Sequence, residues 1–249
     1  MSPRKKKPAN VTAKKLATPM EEPVFRSRKE RMSAGEQLRE GLPHSSHAVW
    51  KPPRKHRDPI DLLEESNRYR LPNLVPVRYG RMLRSPFTFL RGSAGLMAHD
   101  LATTPTTGIE VQACGDCHLL NFGLFATPER NLIFDINDFD ETLPAPWEWD
   151  VKRLAISFVV ASRDNWHSEK AAEAIAVACV RAYRERLRKL SKLSPLNVWY
   201  DRLDAQTIID MAPSARSKNF GSKWLPRPRC VSAIISIPKS AAKLPDAGG

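Results

Sequence analysis

The sequence predicts an α+β fold, mostly helical, with a small β-hairpin where the chemistry lies. Three observations lead there. Segments with helical signals flank residues 109–146 on both sides, a short alternating stretch and a hairpin pattern fall between them, and the composition is that of a globular protein, 41% hydrophobic and 27% charged over 249 residues. That composition excludes a wholly disordered chain, a collagen-like chain and a coiled coil. No stretch approaches the roughly 18 uncharged apolar residues that span a bilayer. The basic N-terminus lacks the apolar core of a secretory signal. Four cysteines, Cys114, Cys117, Cys179 and Cys230, do not make a disulfide scaffold. The expectation is a cytoplasmic protein of a reducing compartment, with no membrane contact.

The net charge of +13 divides unevenly: residues 1–57 carry +10, residues 58–211 carry −3 and residues 212–249 carry +6. Residues 1–57 are rich in Lys, Arg, Pro and Ser and read as a flexible basic arm, with a short helix near Ala34–Arg39. The run Arg4-Lys5-Lys6-Lys7 offers at most a loose contact with polyanions. Aromatics do not interleave with the cations as a single-strand binding surface would require.

Asp58-Pro59 opens the first helix of the folded part, a capping Asp before Pro at the first helical position. Leu71-Pro72 ends it, and the chain continues through Leu74–Tyr79. Ser85-Pro86 suits a helix start, although Phe87–Leu90 suits a strand equally. Arg91-Gly92-Ser93-Ala94 permits close backbone approach, and Gly95–Leu101 reads as helix. Ile109–Ala113 alternates and is expected as a short strand. Asn121–Ala126 and Leu132–Ile136 are the arms of a hairpin turning at Thr127–Asn131. Pro144–Pro146 reads as loop, Trp147–Arg163 as a buried helix, Ser168–Leu190 as an Ala-rich amphipathic helix, and Trp199–Met211 as a third. From Ala212 the periodicity stops, five prolines fall among 38 residues, and Ile234-Ile235 is the one strong apolar patch. This stretch reads as an atypical tail of a truncated or frameshifted product.

The chemistry concentrates between residues 114 and 150, in Asp116-x-His118-x-x-Asn121 and in Asp135-Ile136-Asn137-Asp138-Phe139-Asp140-Glu141. Carboxylates resist burial without partners, and this many close together need a cation between them. Oxygen ligands with one amide carbonyl suit Mg²⁺, which keeps waters and shares its shell with phosphates. Phosphoryl transfer fits the spacings. Asp116 is the candidate base, with His118 beside it hydrogen-bonding within the loop; Asn121, Asp138 and Asp140 are the candidate metal ligands.

Cys114-Gly115-Asp116-Cys117-His118-Leu119-Leu120-Asn121 resembles the catalytic loop of aminoglycoside phosphotransferases and choline kinases, and Asp138-Phe139-Asp140 through Trp149-Asp150-Val151 resembles the segment that follows it there. Over about Met32–Trp199 the chain resembles the bacterial family named domain of unknown function 2252. That resemblance rests on Arg78-Tyr79-Gly80-Arg81-Met82, Ser85-Pro86-Phe87, Phe89-Leu90-Arg91-Gly92, Cys114–Gly123, Pro128-Glu129-Arg130, Phe134–Glu141 and Pro146–Asp150. The first resemblance implies a kinase-like C-terminal lobe using ATP and Mg²⁺. Such a lobe needs a Gly-rich loop and a phosphate-pairing Lys; no G-x-G-x-x-G precedes Asp116, and residues 1–57 cannot form a nucleotide lobe. The second implies a longer protein whose C-terminal part supplies them, hence a nucleotide lobe missing here and an inactive fragment.

Rival readings attach to the same residues. Cys114-x-x-Cys117-His118 satisfies the haem-attachment pattern without an export signal, and zinc is left with adjacent, strained ligands. Arg91 is a candidate for the phosphates of the nucleotide or, equally, a structural arginine paired with an acid. Asp150 caps its helix or orients the Asp116 loop, the cap being favoured. Trp147 and Trp149 anchor the helix, and Lys152-Arg153 neutralise nearby acids. Three functions remain: a phosphotransferase acting with ATP on an unidentified hydroxyl acceptor, a non-catalytic binding protein whose acids form a structural network, and a metal-dependent hydrolase.

Overall fold

The computed structural model describes residues 26–51 and 58–212. The chain divides into two units, Met1–Gly41 and Leu42–Gly249. In the first, α1 spans Arg28–Gly41 and buries none of its residues. Ser27 and Glu30 start it reciprocally: Ser27 N–H donates to Glu30 Oε2 at 2.6 Å, and Glu30 N–H donates to Ser27 Oγ at 3.3 Å. The helix is longer than the Ala34–Arg39 segment expected. Its start signal lies in side-chain capping rather than in an apolar stripe.

In the second unit, α2 (Pro59–Asn67) begins as its sequence dictates, with Ile60 N–H donating to Asp58 Oδ1 at 2.8 Å. A 3-10 turn at Pro72–Leu74 leads into α3 (Val75–Met82). Pro76 lies in the first turn of α3, where no intrahelical N–H bond is lost, so the proline starts this helix instead of preventing it. Helix α4 (Pro86–Arg91) settles the ambiguity at Phe87–Leu90: Ser85 and Thr88 form a capping box, with Thr88 N–H on Ser85 Oγ at 3.2 Å and Ser85 N–H on Thr88 Oγ1 at 2.9 Å. Helix α5 (Ala94–Leu101) follows.

Strands β1 (Glu110–Ala113), β2 (Phe122–Ala126), β3 (Leu132–Ile136) and β4 (Leu143–Pro146) form two antiparallel pairs, β2 with β3 and β1 with β4. The β2–β3 hairpin pairs Phe122 with Ile136 and Ala126 with Leu132, and Phe122 stacks on Phe134 at 6.4 Å. Pro144–Pro146, expected as loop, belongs to strand β4, with Pro144 opposite Gln112 and Pro146 opposite Glu110. A two-stranded pair leaves every strand an edge, and proline is tolerated there.

Helices α6 (Trp147–Asp164) and α7 (Glu169–Leu190) pack on each other, and small residues are fully buried in both, Ser157 in α6, where its Oγ accepts from Leu119 N–H at 3.0 Å, and Ala172 in α7. Trp147 anchors α6 by stacking on Tyr183 at 5.9 Å and donating its Nε1–H to Thr107 Oγ1 at 3.0 Å. In place of one helix over Trp199–Met211 there are two short ones, α8 (Pro195–Trp199) and α9 (Ala205–Asp210). Between them Leu203 O accepts from Phe134 N–H at 2.8 Å and Asp204 bridges Ile133, so the hairpin edge claims residues 203–204 for pairing. Besides α7, α6 touches α4, α5, β1 and the 3-10 turn Leu119–Asn121, which makes it the support of the site. No helix among the described residues is long and apolar enough to cross a membrane. Residues 4–7, Cys230 and Ile234-Ile235 lie outside the described residues.

Candidate active site

The loop after β1 is placed by one glycine and one helix. Gly115 adopts φ +80°, and a Cβ there would strike the Glu141 carbonyl, so only glycine lets the loop lie against the acidic run. From α6, Asp150 receives Cys114 N–H at 2.7 Å and Gly115 N–H at 3.1 Å. The favoured role of Asp150 as helix cap is therefore corrected. Pro146 occupies the N-cap, and Asp150, one turn inside, spends its carboxylate on the loop.

Asp116 projects from this loop and is 20% exposed. Its Oδ1 accepts from Arg153 Nε at 2.8 Å and from Arg153 Nη2, and its Oδ2 lies 3.4 Å from His118 Nε2. Burial raises the Asp116 pKa, but the hydrogen bond from His118 and the Arg153 charge outweigh it, and the net shift is below the usual aspartate value. Arg153 is 2% exposed and also donates to Leu90 O at 2.6 Å, tying the loop to the end of α4. His118 is buried, packs edge-on against Phe87 at 6.5 Å, and leaves Nδ1 buried without a partner.

Asn121 is buried, and its Nδ2 donates to Asp116 O and Asp138 O, both at 3.1 Å, and to Cys114 Sγ at 3.5 Å. One amide thus staples the loop to the acidic run. With Nδ2 committed, Oδ1 is the atom left to coordinate a cation. The hairpin assists: Asn137 N–H donates to Asn121 O at 2.9 Å, carrying the chain back to Asp138. Asp138 Oδ1 accepts from Asp140 N–H at 3.2 Å, and both side chains are exposed. Asp135, across from Gly123, accepts from its neighbour Ile136 N–H and stands outside the cleft.

Asp116, His118, Asn121, Asp138, Asp140 and Arg91 all line one cleft of about 1480 Å³. The same cleft is lined by Arg70, Arg78, Arg81, Arg84 and Arg91. Arg91 makes no hydrogen bond or ion pair among the described residues; the structural arginines are Arg153 and Arg78, which donates to Asn67 Oδ1 and Gly92 O at 2.5 Å each. Sequence reasoning missed Arg78, Arg81 and Arg84 as a group. Their three-residue spacing is visible once Pro76 is read as a helix start. Among the described residues no three His, Cys, Asp or Glu side chains gather as a ready-made metal cage. The Cys114 and Cys117 thiols are free and buried, and the hydrogen bond that Cys117 donates to Cys114, together with burial, pushes the Cys117 thiol up. They pack the loop.

Fold and cleft define a helix-rich α+β protein whose loop after β1 and acidic run after β3, supported by helix α6, share one cleft with five arginines. Residues 70–228 match the family described as an uncharacterized protein conserved in bacteria (DUF2252), and this chain belongs to that family. The match contains every residue lining the cleft except Ser66 and Tyr69, and it runs into the stretch set apart as a tail. No curated protein and no solved structure matches the chain.

Proposed function

We propose that the cleft is a phosphotransferase-type site taking ATP with Mg²⁺ and a hydroxyl acceptor. The observation that supports this reading best is the meeting of Asp116, Asn121, Asp138 and Asp140 with five arginines around one cleft. Such an arrangement suits a ligand that is anionic along its length and carries a cation on one side. Its volume exceeds the about 300–1,000 Å³ usual for a small-molecule pocket, leaving room for donor and acceptor together.

The donor set fits Mg²⁺ without a closed cage, because that ion keeps waters and completes its shell with phosphate oxygens. Asn121 Oδ1, Asp138 and Asp140 would hold it. Bound there, the cation neutralises phosphate charge. Asp116, held ionised by Arg153 and His118, accepts a hydrogen bond from the acceptor hydroxyl, orients it, and receives its proton. A carboxylate with a lowered pKa is a weak base, which suits a reaction limited mainly by positioning and charge stabilisation. Arg153, buried behind Asp116, fixes the carboxylate in place.

The acids also serve a structural network, in Asp116–Arg153 and Asp150 with the loop amides, and this favours the non-catalytic binding protein as second reading. Titration calorimetry of the full chain with Mg-ATP separates the two. Binding that is lost in Asp138→Asn and kept in Asp135→Asn, outside the cleft, is expected. No binding by folded wild-type protein would contradict the phosphotransfer reading.

A further inference from the structure

Among the five cleft arginines, two are already engaged: Arg78 with Asn67 Oδ1 and Gly92 O, and Arg70 with Glu141 Oε1 at 3.3 Å. The other three, Arg81, Arg84 and Arg91, are exposed and line the cleft, and their side chains make no hydrogen bond or ion pair among the described residues. We infer that Arg81, Arg84 and Arg91 form a subsite for a chain of phosphates, a role for which the sequence before Asp116 offers no Gly-rich loop.

Helix ends attract arginines for another reason, since a cation there offsets the macrodipole and caps the last carbonyls. Carbonyl capping does not account for Arg91, which lies in the last turn of α4. The carbonyls at the end of α4 are taken, Leu90 O by Arg153 at 2.6 Å and Gly92 O by Arg78 at 2.5 Å. Packing brings the three together. Met82, between Arg81 and Arg84, is 3% exposed, and a Cβ on Gly92 would come within 2.6 Å of its Sδ. Glycine at 92 therefore lets the end of α4, with Arg91, lie against the end of α3.

Three unpaired guanidiniums around one cavity repel one another until an anion enters. Each offers a planar fork that matches phosphate oxygens. A single phosphate dianion leaves at least one guanidinium uncompensated, whereas a triphosphate satisfies all three and still presents oxygens to a cation held by Asp138 and Asp140. The inference rests on the phosphotransfer reading for what the bound phosphates are for. The triphosphate of a nucleotide and inorganic tripolyphosphate share this chemistry, and the test separates them.

The full chain is titrated by calorimetry with tripolyphosphate and with ATP, each with and without Mg²⁺. Arg81→Gln, Arg84→Gln and Arg91→Gln are each expected to weaken tripolyphosphate binding about tenfold, the loss typical of one charge-assisted contact, and the triple variant to abolish it. Arg181→Gln removes the same charge from an exposed part of α7 outside the cleft and is expected to bind as wild type. All three cleft side chains are exposed, so circular dichroism of the variants is expected to match wild type. ATP binding as tightly as tripolyphosphate assigns the nucleotide as source; tripolyphosphate binding alone assigns the free polyanion. Unchanged binding in the triple variant, or no tripolyphosphate binding by wild type, overturns the inference. Should Mg-ATP binding depend on Asp138 but not on the arginines, the phosphotransfer reading stands and the arginine subsite falls. Should tripolyphosphate binding depend on the arginines but be indifferent to Mg²⁺ and Asp138, the subsite stands and the phosphotransfer reading falls.

Discussion

Arg153 is 2% exposed, and a single carboxylate, that of Asp116, balances its charge. Breaking such a pair from one side leaves a buried charge alone, so Arg153→Met is expected to cost about 3–5 kcal/mol in urea unfolding. Adding Asp116→Asn to it should recover part of that loss; a double variant no better than the single one would contradict the pairing. Acid acts on the same bond. Because the folded Asp116 pKa lies below its unfolded value near 3.8, its contribution is present above that pH and is lost as pH falls through the lower folded value. The spacing Asp116-x-His118-x-x-Asn121 was legible in the sequence because its members share one loop. Arg153 was legible only as a neutralising charge, since its partner lies 37 residues earlier and nothing local distinguishes a buried arginine from a solvated one.

Asp150 lies in the first two turns of α6, where a carboxylate reads as a capping or dipole effect. In the structure it binds the amides of Cys114 and Gly115 from a neighbouring element instead. Replacing it separates these roles. Asp150→Ala is expected to leave helix content unchanged by circular dichroism, to speed hydrogen exchange at residues 114–117, and to cost about 1–3 kcal/mol for two unsatisfied amides. Fraying of α6 with unchanged exchange in the loop would restore the capping role. The elements that local signals announce, α2, α7 and the β2–β3 hairpin, were read nearly to their bounds, because Asp58, Ser168 and the Thr127–Asn131 turn act within a few residues. Strand β4 and the break between α8 and α9 escaped. Their form depends on partners, β1 for one and the edge of β3 for the other, that the local sequence does not contain.

Across the whole molecule the formal charge of +13 conceals a segment of −3 over residues 58–211. Within it, arginines and acids gather around one cleft. That gathering was half legible: the acids form one run in sequence, while the arginines come from two helices and the turns beside them, and meet only when α3 packs on α4. The grouping of Asp116, Asn121 and Asp138, expected from the loop and the returning hairpin, is achieved by the Asn121 amide bridging the two carbonyls. Whether a cation completes this arrangement is tested most directly with Mn²⁺ as a paramagnetic substitute for Mg²⁺, followed by water-proton relaxation during titration of the full chain with ATP. One ATP-dependent Mn²⁺ per chain, lost in Asn121→Ala and in Asp138→Asn, is the expected result. No enhancement with wild-type protein, or the same enhancement in both variants, would contradict it.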